Sequence, residues 1–318
     1  MEKYIFGIDV GGTNIKIGVF NYDSVKNIKK FEIKTSKNKE ISTILSDIKK
    51  FISEYVAENN INWNQVVGIG LGVPCPVKNG YVEKCANLSV NETNLIDELR
   101  RIFPAHITFA VGNDATLAAL GENQSLAKPY DNAVLITLGT GVGGGIIVNG
   151  QLVEGSSGFG GEIGHMKVYD ELVETCGCGS KGCLEQICGT AAIIKYAKKA
   201  MIGKKTILDS EKLNVKKIFD AAKMGDEVGM ETVNRVAKYL GIAASILAIT
   251  VEPDVFIIGG GISKAGPFFT NLVQKYFREY ARFSTGKIPF QIAITGNDAG
   301  KIGSALLVKH HMKGNHED

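Results

Sequence analysis

The chain has little excess charge, little proline and no long apolar run. Its 36 lysines and arginines nearly balance 33 acidic residues, so it lacks the strongly basic character of a nucleic-acid-binding protein. Seven prolines in 318 residues leave no Pro-rich spacer between domains. The longest apolar run, near 241–251, is far shorter than a membrane span, and residues 1–7 lack a secretory signal pattern. We therefore expect a cytoplasmic protein with no nucleic-acid or membrane partner.

Two common nucleotide-binding motifs are also missing. No Gly-x-x-x-x-Gly-Lys-Ser/Thr sequence occurs, which excludes a Walker-type phosphate loop. Gly139–Gly144 fits the pattern Gly-x-Gly-x-x-Gly, but a dinucleotide-binding fold needs a helix directly after the glycines. The apolar residues 145–148 and the pair Asn149-Gly150 predict a strand and a hairpin there instead. The sequence therefore argues against a Rossmann-type site.

A pattern of strand, glycine turn and strand occurs twice. The first copy has predicted strands at 4–10 and 15–20 around the turn 9–14, and the second has strands at 132–138 and 145–148 around the turn 139–144. Although a glycine-rich composition can produce such pairs by chance, we interpret them as a diverged internal duplication. Further strands are predicted at 28–35, 66–71, 107–111, 254–258 and 290–295, and helices at 41–57, 115–127, 190–201, 215–224, 227–250, 267–282 and 300–309.

The glycine turns suit a phosphate-bearing ligand. Without a Cβ, backbone N–H groups can approach phosphate oxygens closely, and Thr13 and Thr140 add hydroxyl donors. Asp9 stands at a strand end, where a carboxylate can hold Mg²⁺ through water. A third glycine run, Gly259–Gly261, follows a predicted strand and can lie against adenine and ribose. Each run alone can be a plain tight turn; together, in this order, they indicate a nucleotide site.

A cysteine cluster indicates a metal site. Cys176, Cys178 and Cys183 are separated mainly by glycines, and His165 precedes them. Three thiolates and one imidazole make a closed tetrahedral Zn²⁺ site, which has no open position for water and is therefore structural. The alternatives are inert buried thiols and a hydrogen-bonded histidine. Cys75, Cys85 and Cys188 are scattered along the chain.

Over nearly its whole length the chain resembles the ROK family, which comprises repressors, open reading frames and sugar kinases. The resemblance is carried by Asp9–Thr13, Gly112–Ala115, Leu138–Gly145, Gly161–His165 and the segment from Cys176 to Glu185. It implies an α/β fold, the two-domain actin-like ATPase (ribonuclease H-like) fold with central mixed sheets and an interdomain cleft. Residues 1–115 would form a small N-terminal domain joined by the C-terminal helix 300–318, and 116–299 a large domain with a zinc loop at 160–188.

The resemblance also implies roles for individual residues. Asp114 would be the catalytic base, although an aspartate before a predicted helix can equally be a helix N-cap. The sugar would be held by Asn87, Asn113, Asp114, Glu162, His165 and Glu185, although Glu162 and Glu185 alone can be solvated surface residues. ATP and Mg²⁺ would contact Asp9, Gly11, Gly12, Thr13, Lys16, Gly139, Thr140, Gly141, Gly259, Gly260 and Gly261, and structural zinc would be held by His165, Cys176, Cys178 and Cys183.

The implied activity is ATP-dependent phosphorylation of the 6-hydroxyl of a hexose, with glucose the first choice and N-acetylmannosamine, N-acetylglucosamine or allose as alternatives. Two departures weaken the choice of glucose: Cys75 replaces a glycine common in the family, and no aromatic residue follows Asn87-Leu88. A sugar-sensing repressor would need a DNA-binding domain ahead of Asp9, where no room exists. A non-catalytic sugar-binding protein remains a second alternative. We expect a homodimer or higher homo-oligomer.

Overall fold

The computed structural model describes residues 2–85, 87–170, 174–282 and 284–314 as a mixed α/β protein. The strands are β1 (Tyr4–Val10), β2 (Asn14–Asn21), β3 (Asn27–Lys34), β4 (Val66–Val73), β5 (Tyr81–Lys84), β6 (Asn91–Asn94), β7 (Thr108–Asn113), β8 (Ala133–Leu138), β9 (Val142–Val148), β10 (Gln151–Leu152), β11 (Val255–Gly260) and β12 (Phe290–Ile292). The helices are α1 (Ile41–Glu58), α2 (Leu95–Ile102), α3 (Asp114–Ser125), α4 (Glu185–Cys188), α5 (Thr190–Ala200), α6 (Val215–Lys223), α7 (Glu227–Val251), α8 (Pro267–Tyr280) and α9 (Ala299–Gly314).

Two five-stranded sheets share one topology. The first has the order β3-β2-β1-β4-β7 and the second β10-β9-β8-β11-β12. In the first sheet β1 is central, antiparallel to β2 and parallel to β4, and β4 is parallel to β7. In the second sheet β8 is central, antiparallel to β9 and parallel to β11, and β11 is parallel to β12. This repeated order supports the internal duplication that the glycine turns suggested.

The chain divides into two compact units. The first contains residues 1–128, 152–160 and 297–318, and the second 129–151 and 161–296. The domain limit predicted from the sequence lies at residue 115, whereas the first unit of the structure continues through α3. The reason is a close helix crossing, in which Gly121 of α3 and Gly303 of α9 let the two backbones meet. Residues 315–318 of the predicted C-terminal helix and 171–173 of the predicted zinc loop lie outside the described residues.

Helices cover both faces of the first sheet, which explains why β1 and β4 are apolar along almost their whole length. Phe6 and Ile8 pack with residues of α1, whereas Ile5 packs with α3 and α9. Glycine at position 7 of β1 allows α9 to pack closely on the sheet, because a Cβ there would lie 2.0 Å from Lys301 O. Helix α9 runs five residues past its predicted end at 309, because Met312 still packs on this core.

The core of the second unit is aromatic and helical. Phe256 of β11 stacks on Phe290 at 4.9 Å and meets Phe277 of α8 edge-on. Helix α7, of 25 residues, is long and apolar enough to cross a membrane by length and composition alone, a feature missed when only the run 241–251 was considered. However, 56% of its most apolar window is buried inside the protein, and Gly241 packs on the α8 backbone. Such burial is typical of a core helix.

Some elements differ from the sequence prediction. Strand β9 begins at Val142, so the predicted turn 139–144 is shortened to three residues. Strands β5 and β6 and helix α2 were not predicted. The two strands have four residues each, which is too few for a clear alternation of apolar and polar side chains.

Candidate active site

The turn between β1 and β2 brings Asp9 and Lys16 together. They are cross-strand partners, and Lys16 Nζ lies 3.3 Å from Asp9 Oδ2. The turn itself is fixed by backbone contacts, since Gly11 N donates to Asn14 O and Thr35 Oγ1 donates to Gly11 O. A Cβ at Gly300 of α9 would lie 2.9 Å from the Asp9 carboxyl carbon, so Asp9 is held between the turn and α9. The turn thus presents a half-buried carboxylate beside one lysine.

Asp114 is the first residue of α3 and follows the end of β7. The helix cap is Asn113, whose Oδ1 accepts from Ala115 N and Thr116 N at 3.0 Å each. The alternative interpretation of Asp114 as the N-cap is therefore wrong, because its neighbour takes that position. Asp114 Oδ1 accepts from Ala115 N at 2.8 Å. A carboxylate is stabilised in this first turn by the helix dipole.

A loop after β4 lies against Asn113. Asn113 Nδ2 donates to Cys75 O, and Asn87 Nδ2 donates to Pro74 O, both at 3.2 Å. Cys75 forms a disulfide with Cys85. This bond was not predicted, because neither residue belongs to the cysteine cluster and both were interpreted as scattered cysteines. Asn87, Asn113 and Asp114, three of the predicted sugar-binding residues, are therefore connected through one loop of the first unit.

In the second unit, Glu185 holds the turn between β8 and β9. Its Oε2 accepts from Val142 N at 3.1 Å, and a Cβ at Gly141 would lie 2.0 Å from that oxygen. Thr190, at the start of α5, closes the turn from the other side, since its Oγ1 donates to Gly139 O at 2.7 Å. A predicted sugar-binding residue therefore also shapes the predicted phosphate turn, a contact that no sequence pattern indicated.

Four side chains form a compact cluster in the second unit. The ligand atoms of His165, Cys176, Cys178 and Cys183 all lie within 4.8 Å of one another. Cys176 Sγ is 3.6 Å from His165 Nδ1, and Cys178 Sγ is 3.6 Å from Cys183 Sγ. A tetrahedral Zn²⁺ site has S···N and S···S edges of about 3.6 and about 3.8 Å. The structure thus brings the predicted metal residues together, and two of their six ligand-atom distances are close to those edges.

Glu162 lies half-buried beside this cluster. Burial raises the pKa of Glu162 above its ordinary value; Glu185 pushes it in the same direction, and His165 opposes the rise. Glu162, His165 and Glu185 are thus close enough to interact electrostatically, which agrees with a shared role. A carboxyl in such surroundings is suited to hydrogen bonding with a neutral polar ligand.

A largely apolar pocket of about 430 Å³ opens beside the second glycine turn. It is bounded by Leu138 and Gly139, by α6 with Phe219, and by the short 3₁₀ helix Gly261–Ala265. Gly260 has a φ of +78°, and a Cβ there would lie 2.3 Å from Leu138 O, so glycine is needed where β11 meets this pocket. The glycines beside this pocket were predicted from the sequence, whereas the wall formed by α6 was not, because an amphipathic helix alone carries no ligand signal.

The comparisons with known proteins agree with this architecture. The chain is 36% identical to a glucokinase of Halalkalibacterium halodurans, covering 97% of this chain and 96% of that protein. It is 28% identical to an N-acetylmannosamine kinase of Haemophilus influenzae, covering 95% and 94%. The crystal structure of a ROK family glucokinase from Streptomyces griseus with glucose and AMPPNP has a TM-score of 0.74 and 28% identity, covering 96% of this chain and 99% of that chain.

The fold and these neighbours define an actin-like α/β protein of the sugar-kinase class, which confirms the predicted fold class. Residues 5–311 match the ROK family, and the chain belongs to that family.

Proposed function

We propose that this protein is an ATP-dependent hexose kinase that transfers the γ-phosphoryl group to the 6-hydroxyl of glucose. The observation that carries the proposal is the full-length similarity to a glucokinase at 36% identity. The neighbouring glucokinase structure with glucose and AMPPNP supports the same class of substrate and donor.

We assign the nucleotide to the glycine turns and the apolar pocket. Its volume of about 430 Å³ is within the usual range for a small-ligand site and suits a purine and ribose. The turns 11–13 and 139–141 would line the phosphates with backbone. The N–H groups of Gly11 and Gly139 close the turns themselves, so those of Gly12, Thr13, Thr140 and Gly141 would be offered to phosphate oxygens. Asp9 supplies the single carboxylate that Mg²⁺ needs when waters and phosphates complete its shell.

We assign the role of general base to Asp114. Phosphoryl transfer to an alcohol requires the hydroxyl to be in line with the γ-phosphate and a carboxylate to accept its proton. Asp114 starts α3 at the end of β7, so sheet and helix fix its backbone. Asn87, Asn113, Glu162, His165 and Glu185 would accept or donate hydrogen bonds to the remaining sugar hydroxyls.

The Cys₃His cluster is proposed to hold structural Zn²⁺. Three thiolates and an imidazole nitrogen are a typical closed ligand set, and the distances Cys176 Sγ to His165 Nδ1 and Cys178 Sγ to Cys183 Sγ are close to tetrahedral edges. The ion would supply no chemistry to the reaction. The ion would fix the loop that carries Glu162 and His165, and it would connect that loop to the segment that carries Glu185.

A second candidate substrate is N-acetylmannosamine. The Haemophilus influenzae kinase for that sugar is 28% identical over 95% of this chain. The segment assigned to the sugar contains Cys75 and has no aromatic residue directly after Leu88. The choice between hexoses therefore depends on that segment.

The test uses glucose, N-acetylmannosamine, N-acetylglucosamine and allose as acceptors. With ATP as donor, ADP release is measured in a coupled assay; with polyphosphate as donor, formation of the sugar phosphate is measured instead. We expect kcat/KM to be highest for glucose with ATP. A higher value for N-acetylmannosamine would reassign the substrate and leave the kinase class intact. No ADP from any of the four sugars would overturn the proposal.

A further inference from the structure

The loop that touches Asn87 and Asn113 is closed by a disulfide. Cys75 follows β4, Cys85 follows β5, and the two are ten residues apart. Cys75 is 1% exposed and Cys85 is 9% exposed, so the bond is sheltered and Cys85 is its more accessible end. Of the described cysteines, these two are bonded, whereas the three of the metal cluster and Cys188 are free thiols.

The disulfide is directly linked to the predicted sugar-binding residues. Cys75 O accepts from Asn113 Nδ2, and Pro74 O accepts from Asn87 Nδ2. Cys85 Sγ lies 3.4 Å from the same Pro74 oxygen. The two amides therefore hold the carbonyl groups of residues 74 and 75, and the disulfide crosslinks Cys75, whose carbonyl Asn113 binds.

Asn113 carries this constraint into the helix of the predicted base. While its Nδ2 holds the loop, its Oδ1 caps α3 through Ala115 N and Thr116 N. One side chain therefore joins the disulfide loop to the first turn of α3, where Asp114 lies. A glycine at position 75 could not form the crosslink and would leave the loop backbone freer.

We propose that the Cys75–Cys85 disulfide positions the sugar side of the active site, and that its reversible reduction weakens sugar binding. The inference rests on the proposed kinase function. Cys75 and Cys85 act here as positioning residues, because their contacts reach the sugar residues through carbonyl groups and amides. We expect reduction of the disulfide to lower the affinity for the sugar. It should not change the apolar pocket lined by α6, which is built by residues of the other unit.

The reducing step is thiol–disulfide exchange with a dithiol. One thiolate of the dithiol attacks Cys85 Sγ, the S–S bond breaks, and Cys75 leaves as a thiolate that takes up a proton. The second thiol of the reductant then attacks the mixed disulfide, releases Cys85 as a thiol and closes the oxidised dithiol. Two electrons and two protons pass to the protein. A small-molecule disulfide such as oxidised glutathione reverses both exchanges.

The experiment uses the full chain in oxidised and dithiothreitol-reduced forms. Alkylation with iodoacetamide and peptide mass spectrometry count the free thiols, and zinc content is measured in both forms. We expect reduction to raise the glucose KM about threefold to tenfold with a smaller change in kcat, since lost ground-state contacts raise KM. The KM for ATP should stay the same.

The variant Cys75→Ser/Cys85→Ser provides the matched control. It should have the high glucose KM of the reduced protein and no response to dithiothreitol, which shows that the reductant does not act through the zinc cysteines. Circular dichroism checks that the variant is folded; reduction of the wild type tests the same bond without any substitution.

Three results would overturn the inference. One is full alkylation of Cys75 and Cys85 in protein treated with oxidised glutathione, and another is an equal glucose KM in both redox forms. If no sugar is phosphorylated in either form, the proposed function fails, and hydrogen exchange then tests the positioning separately. Amides of residues 77–85 and 115–117 should exchange faster after reduction; unchanged exchange would be the third overturning result.

Discussion

Asp114 and Asn113 divide two roles that the sequence alone left to one residue. An aspartate before a helix is a common N-cap, and that interpretation competed with catalysis. In the structure Asn113 caps α3, which leaves Asp114 in the first turn of the helix. The hydrogen-bonding need of the helix end is thus met without the aspartate as cap.

Asp114→Asn should retain glucose binding and lose turnover. The amide preserves the shape of the side chain but cannot accept the proton, so kcat should fall by about 10²–10⁴. Steady-state kinetics and glucose titration by calorimetry measure the two effects. Asp97→Asn, an exposed residue of α2, is the control and should be near wild type. A near-native kcat for Asp114→Asn would remove the base assignment.

Asp226 should make stability depend on acid pH. Burial pushes the pKa of Asp226 upward, but hydrogen bonds from Gly229 N, Ile207 N and Thr206 Oγ1 outweigh it, and the pKa is lowered below its ordinary value. A lowered carboxyl pKa contributes stability above the unfolded value of about 3.9, which is lost as pH falls through the folded pKa.

The substitutions at Asp226 separate capping from charge. Because Asp226 caps α7, Asp226→Ala should lower the free energy of unfolding by about 1–2 kcal/mol at neutral pH in urea denaturation. Asp226→Asn can still cap but cannot ionise, so its difference from wild type should shrink on acidification below about pH 4. A constant difference across that range would contradict the role of the charge.

At the scale of elements, the crossing of α3 and α9 ties the predicted base to the end of the chain. A Cβ at Gly303 would lie 1.8 Å from Leu117 O, and one at Gly121 would lie 2.1 Å from Ala299 O. Both neighbours are backbone atoms, which cannot rotate away. The helices approach so closely only because both positions are glycine.

Gly303→Ala should force these helices apart. We expect a loss of about 3 kcal/mol in the free energy of unfolding, at the upper end for an overpacked core, and a lower kcat because α3 carries Asp114. Urea denaturation and the kinase assay measure the two. His311→Ala, on the exposed side of α9, should change neither. Wild-type stability in Gly303→Ala would show that the crossing relaxes freely.

A second prediction at this scale concerns the loop of the metal cluster, which carries Cys176, Cys178 and Cys183. Cys178→Ser removes one of four proposed ligands, so zinc content should fall well below one ion per chain and the melting temperature should drop. Ser180→Ala, an exposed neighbour in the same loop, is the control and should keep its zinc. Full zinc content in Cys178→Ser, measured by elemental analysis, would contradict the ligand assignment.

At the scale of the whole molecule, substrate binding should be visible as stability. A ligand that binds only the folded chain at 100 times its Kd adds about 2.7 kcal/mol. Glucose should therefore raise the melting temperature of wild type and of Asp114→Asn alike. The measurement is a thermal shift series with the four sugars of the assay. A larger shift with N-acetylmannosamine would favour that sugar, and no shift with any sugar would contradict hexose binding.

The sequence by itself determined features made by neighbouring residues. The glycine turns, the Asn-Asp pair at the start of α3, the metal cluster and most helices and strands could be predicted, because each depends on local backbone preference or on close spacing. The repeated strand–turn–strand pattern indicated an internal duplication, and the two sheets of the structure share one strand order.

Only the tertiary structure decided the contacts between distant segments. These include the Cys75–Cys85 bond, the bond of Glu185 to Val142 and the α6 wall of the apolar pocket. Periodicity and motif spacing describe which face of an element is apolar, but they do not say which distant element covers it. That choice comes from close packing and from satisfying buried hydrogen-bonding groups, which depend on the whole folded chain.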